Sequence, residues 1–151
     1  EMKKTIFQML SIYAIKNVTH EEHLKNIEEL IEVSKNYSSI LANYETEEDG
    51  SSDSSVNQIK AGTAQKLLNM MLKYCWCAGW INTPPDFPID SHNLKALLNL
   101  HNSEEFKKSW TKNIKEIKDY DAIIKRASNE IQETLALWEL KTWKRNIDTE
   151  E

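Results

Sequence analysis

Between Asn57 and Trp80 the chain carries no acidic residue, and from Leu67 to Ile81 only Asn69 and Lys73 are strongly polar. A helix that is apolar around most of its circumference has to be largely buried. This one segment, predicted as a helix over about 56–81, therefore demands a body around it. Its polar or small stripe is Gln58, Gly62, Gln65, Asn69 and Lys73, at steps of four, three, four and four. Such steps keep side chains on one helical face. Gly62 costs about 1 kcal/mol in a helix interior, which points to close packing there, by a helix or by a ligand.

The rest of the chain reads as helix too. There are 3 glycines and 3 prolines in 151 residues, so long stretches run without a breaker. Ile6, Phe7, Met9, Leu10, Tyr13 and Ala14 give a first helix over about 3–17. Thr19 with Glu22 three residues later is a capping box. The helix it opens is predicted to reach about Tyr44, with two apolar seams: Leu24, Ile27, Ile31, Ser34, Ser38 and Leu41, and Leu30, Val33, Tyr37, Ile40 and Tyr44. Two seams predict a helix wedged between two neighbours. Residues 45–55, ETEEDGSSDSS, hold no apolar side chain and read as a flexible acidic loop. After the proline segment NTPPDFPID (82–90), Asp90 or Ser91 caps a short helix to about Leu100, and Ser103 begins another to about Ile117. A last helix over about 119–145 buries Tyr120, Ile123, Ile124, Ala127, Ile131, Leu135 and Trp138. The expected fold is all-α: one domain over 1–151, a bundle of about four long helices plus one or two short ones, with the apolar third helix at its centre.

Composition narrows function by exclusion. No run reaches the eighteen or so apolar residues of a membrane span. Met2-Lys3-Lys4 before Thr5–Ile15 resembles a signal peptide only faintly, since Gln8 and Ser11 interrupt it and no small-residue cleavage site follows. Cys75 and Cys77, two apart on a helix, point to different faces and make a poor local disulfide. They read as free thiols in a reducing, cytoplasmic setting. Lys, Asn and Ile supply 45 of 151 residues, an AT-rich codon signature suggesting a low-GC bacterium or a phage. The net charge is −5, with 17 lysines to 2 arginines, which disfavours a dedicated base-reading protein.

The candidate sites each compete with a plainer reading. His20 and His23, in the run HEEH, can share a face and hold a metal, or they are polar residues of a first turn. Asp86, Asp90 and His92 can form an acid/base site, with His101 further on, or they are capping and turn residues. Gln65, Asn69 and Lys73, with Trp76 and Trp80, can line a small-ligand pocket. The plainer reading has the amides and the ammonium satisfy neighbouring backbone and tyrosine hydroxyls. Lys107, Lys108, Lys112, Lys115 and Lys118 form a basic face opposite Trp110, Ile114 and Ile117. It can contact nucleic acid or another phosphate-bearing substrate, or be simply solvated. Leu137, Leu140 and Trp143 fall off the main stripe of the last helix and read as a partner surface.

No phosphate loop, dinucleotide fingerprint, nucleophile elbow or CxxC pair is present. The sequence therefore names no catalytic residue, no cofactor and no metal. The reading it favours is a non-catalytic protein-interaction module that self-associates. The alternatives are the lysine face and the small-ligand pocket.

Overall fold

In the computed structural model, which describes residues 2–37, 58–102, 104, 106, 107 and 114–142, the chain is all-helical. Among the described residues there are six α-helices and no strand: α1 (Met2–Ile15), α2 (His20–Ser34), α3 (Ala61–Cys77), α4 (Ser91–Leu100), α5 (Ile117–Glu130) and α6 (Leu135–Thr142). The acidic loop 45–55 and the stretch 38–44 lie outside the described residues.

Side-chain caps set several of these boundaries. The Glu22 amide donates to the Thr19 hydroxyl at 3.2 Å, and the Thr19 amide donates to the Glu22 carboxylate at 3.0 Å. This is the capping box read from the sequence, and α2 runs from it. Asp90 accepts from the His92 and Asn93 amides, both at 3.0 Å, and opens α4. α3 lacks a side-chain cap. Its Ala61 and Gly62 amides instead donate to the carbonyls of Lys115 and Ile114, at 3.2 and 3.0 Å. The backbone of Ile114 and Lys115 thus comes close to Gly62.

α2 yields to a 3₁₀ turn at Lys35–Tyr37. Ser34 marks the change: its hydroxyl donates to Ile31 O at 2.6 Å and accepts from the distant Ile59 amide at 2.9 Å. Serine bonding of this kind competes with the helical ladder. The long last helix is broken as well. Ile131 is extended and buried, and α6 restarts with Thr134 O accepting from Leu137 and Trp138. Ser128, Asn129 and Thr134 crowd this break, and such residues favour alternatives to continued helix. Residues 114–116, expected inside a short helix, are not helical.

The two predicted seams of α2 merge into one buried line of His23, Ile27, Leu30 and Ser34, at steps of four, three and four. α2 packs against α1, α3 and α5, and α3 against α2 and α5. α2 and α3 share the most extensive of these contacts. The core gathers Tyr13, Ile27, Leu30, Leu68, Leu72, Ile89, Leu97, Tyr120 and Ile123, all 1% exposed or less. The proline segment is pinned to it by Phe87 and Ile89, with Phe87 against Trp138 at 5.5 Å between ring centroids. α3 keeps an unexpected outer edge. Thr63, Leu67, Tyr74 and Cys77 are exposed and Met70 half-buried, whereas Gly62, Gln65 and Asn69 of the predicted polar or small stripe are buried.

Candidate functional site

Polar chemistry concentrates where α2, α5 and the proline segment meet. Asp86 is 2% exposed, and an unpaired buried carboxylate would be costly. Three groups answer it. His20 Nδ1 lies 2.8 and 3.0 Å from its two oxygens, and the Tyr120 hydroxyl donates to Oδ2 at 3.0 Å. His23 Nε2 stands 3.8 Å from the same Oδ2. The other nitrogen of His20 lies 2.8 Å from Asp121, which also accepts from Lys125 at 2.7 Å. A doubly protonated His20 donating to two carboxylates fits this geometry. The Asp86 hydrogen bond, against an opposing effect of burial, lifts its pKa to about 9. Burial acts first on Asp121 too, pushing it up, but bonds from Lys125 and His20 leave its carboxyl below the usual range.

His23 is fully buried, and burial drives its pKa down to about 4. Its Nδ1 sits 2.6 Å from the Tyr13 hydroxyl, which accepts from Asn26 at 2.9 Å. Tyr13 therefore donates to Nδ1, which leaves the proton of a neutral His23 on Nε2, toward Asp86 and Asn69. Nε2 of His23 and Oδ1 of Asn69 are complementary, and neither makes a close hydrogen bond. Burial raises the pKa of both Tyr13 and Tyr120, so both remain hydroxyl donors. The result is a connected network from Asn26 at one end to Lys125 at the other.

Two separate candidates from the sequence thus join, since His20 and His23 meet Asp86. Asp90 caps α4, and His92 is exposed. His101 contacts Arg126 and lies 3.6 Å from Glu130, away from the cluster. No group of three or more His, Cys, Asp or Glu side chains converges to hold a metal among the described residues.

The stripe on α3 divides. Gln65 clamps the proline segment in both directions, donating to Ile89 O at 2.8 Å and accepting from Ile89 N at 3.0 Å. Asn69 donates to the Tyr120 hydroxyl at 3.0 Å, and Lys73 to Glu139 at 2.8 Å. Asn69, Lys73 and Trp76 line a void of about 10 Å³ with Asp86, Phe87 and Glu139. That is space for about one water. Trp80 lies elsewhere, 72% exposed.

Of the lysine face, Lys108 and Lys112 lie outside the described residues. Lys107 pairs with Glu104 at 2.7 Å, Lys118 pairs with Glu116 at 2.6 Å, and Lys115 is exposed. Of the expected partner surface, Leu137 is half-buried, Leu140 is 36% exposed, and Trp143 lies outside the described residues.

Tyr13, Tyr120, Asp121 and Glu139 escaped the sequence reading as site residues. Only Glu139 left a signal, as an acid inside the apolar run LALWEL. Two clefts flank the His20–Asp121 contact. One, of about 630 Å³, includes His20, Glu21, Pro84, Pro85, Lys125 and Glu133. The other, of about 700 Å³, includes Leu24, Ile31, Ile59, Ile117 and Asp121.

No family model matches the chain, no curated protein is similar to it, and no solved structure matches its fold. No described helix is long and apolar enough to cross a membrane.

Proposed function

We propose that this domain is a non-catalytic protein-interaction module that associates with copies of itself through the outer edge of α3. One observation carries the reading: Thr63, Leu67, Met70, Tyr74 and Cys77 recur at steps of three and four along α3 without a single charge. Tyr74 is 63% exposed, and Trp80 just beyond the helix is 72% exposed. Contiguous exposed apolar surface marks interaction sites, and aromatic residues are enriched in them. An uncharged helical stripe suits a second copy of itself, because no like charges oppose across the two-fold axis.

The polar network supports the same reading. His20 has both nitrogens on carboxylates, and Gln65 and Lys73 hold neighbouring elements. These groups act as structural ties between elements. The free thiols Cys75 and Cys77 suit a reducing cytoplasm.

Sedimentation velocity over a range of concentrations tests the proposal. The expected result is a reversible oligomer that Tyr74→Ser with Trp80→Ser converts to monomer without loss of helical circular dichroism. A wild-type chain that stays monomeric throughout would overturn it, as would an oligomer unchanged by the double substitution.

A further inference from the structure

The void between α3, α6 and the proline segment is small and polar. Its space is about 10 Å³, and Asn69, Asp86, Phe87, Ala136 and Glu139 on its wall are all buried. Lys73 lines it as well, with its side chain 12% exposed. The Asn69 side-chain oxygen makes no hydrogen bond among the described residues, although Asn69 is only 2% exposed. Leaving a buried acceptor in that position is costly. The amide nitrogen of the same side chain is already engaged, on the Tyr120 hydroxyl at 3.0 Å. Both wall carboxylates have a cation: Asp86 has His20 and Glu139 has Lys73, each at 2.8 Å. A further cation would meet the Lys73 ammonium and find no uncompensated charge. The void suits a small neutral molecule that both donates and accepts.

We propose that this void is a binding site for one ordered water molecule, which bridges the Asp86 cluster and the Lys73–Glu139 pair. An internal site takes a water when it offers about one water-sized sphere of space and two to four polar partners. Here the water donates one hydrogen to the Asn69 side-chain oxygen and the other to a wall carboxylate, and it accepts from the Lys73 ammonium. A water bridge of this kind is nearly as favourable as a direct hydrogen bond. The Asp86 cluster ties α2 and α5 to the proline segment, and the Lys73–Glu139 pair ties α3 to α6. The water makes these ties parts of one polar network. The inference is independent of self-association through the outer edge of α3.

The test is magnetic relaxation dispersion of the water oxygen, measured on the full chain in isotopically enriched water. The signal comes from oxygen nuclei, so the exchanging protons of Tyr120 and Lys73 do not imitate it. The wild type is expected to hold at least one water for longer than the molecule takes to tumble. Ala136→Val adds two methyl groups on the wall of the void and should lower the number of long-lived waters by one. Circular dichroism checks that its helices are retained. Lys73→Met with Glu139→Leu removes two polar partners by a second route and should also lower the number by one, so the test survives if Ala136→Val fails to fold. A wild type with no long-lived water would overturn the proposal. So would a number that stays the same in either folded variant.

Discussion

His20 and His23 stand three residues apart on α2 and turn toward the same carboxylate, Asp86, in opposite protonation states. The direct hydrogen bond to Asp86 raises His20 to about 9, while burial lowers His23 to about 4. The geometry accounts for the contrast. His20 reaches the carboxylate at 2.8 Å from a partly open position, whereas His23 is sealed in the core with its nearer nitrogen on Tyr13.

A shape for the pH–stability curve follows. The unfolded value of both imidazoles is about 6.5. The stabilisation from His20 is complete below that value and is lost as pH rises through about 9. The stabilisation from keeping His23 neutral is complete above it and is lost as pH falls toward about 4. Unfolding free energy should therefore peak near pH 6.5. The alkaline decline should be about 1–2 kcal/mol after allowance for the partial exposure of His20, and the acid decline about 2–3 kcal/mol. Urea unfolding across this range measures both limbs. His20→Gln should flatten the alkaline limb and His23→Gln the acid one. An alkaline limb that survives in His20→Gln would refute the assignment.

The Lys73–Glu139 pair links α3 to α6 with side chains only 12% and 3% exposed. Lys73→Met leaves a buried carboxylate without its cation and should cost about 3–5 kcal/mol. Adding Glu139→Leu should return most of that loss, because two apolar chains can replace a buried pair with little penalty. Chemical denaturation of both single variants and the double variant closes the cycle. Additive costs would mean the pair is not coupled.

Gln65 is the clamp on the proline segment. Gln65→Leu removes both bonds to the Ile89 backbone and leaves a buried donor and acceptor unsatisfied. The expected cost is about 1–3 kcal/mol. Amide exchange at Ile89 should accelerate more than exchange within α2, because the loss is local to the segment. Uniform acceleration across the chain would count against Gln65 as a local clamp.

What could be read in the sequence is what is decided locally. The capping box at Thr19 and Glu22 and the cap at Asp90 are spelled out within four residues, and both helices start there. The all-α class follows from the scarcity of breakers. Helix ends were less legible: the Ser34 hydroxyl stops α2 partly by meeting Ile59, and Ile131 breaks the last helix without a glycine or proline. The polar cluster was legible only in pieces. HEEH and Asp86 were each visible, but their meeting depends on packing between elements 66 residues apart. Tyr13 and Tyr120 looked like ordinary core, since nothing in a sequence separates a buried ring from a buried ring with a working hydroxyl. The apolar circumference of α3 points to a largely buried helix, but it does not tell which edge stays exposed, and that edge is Thr63, Leu67, Tyr74 and Cys77.

The ties that fix this bundle are far apart along the chain. His20 meets Asp86 across 66 residues and Asp121 across 101, and Lys73 meets Glu139 across 66. Helices form from local contacts quickly, whereas such distant pairings wait for the whole topology. Interactions absent from the folding transition state govern the rate of escape from the native state and leave the rate of entry nearly unchanged. The cluster around Asp86 is placed to behave in that way, as a late-closing latch that sets how long the folded chain persists.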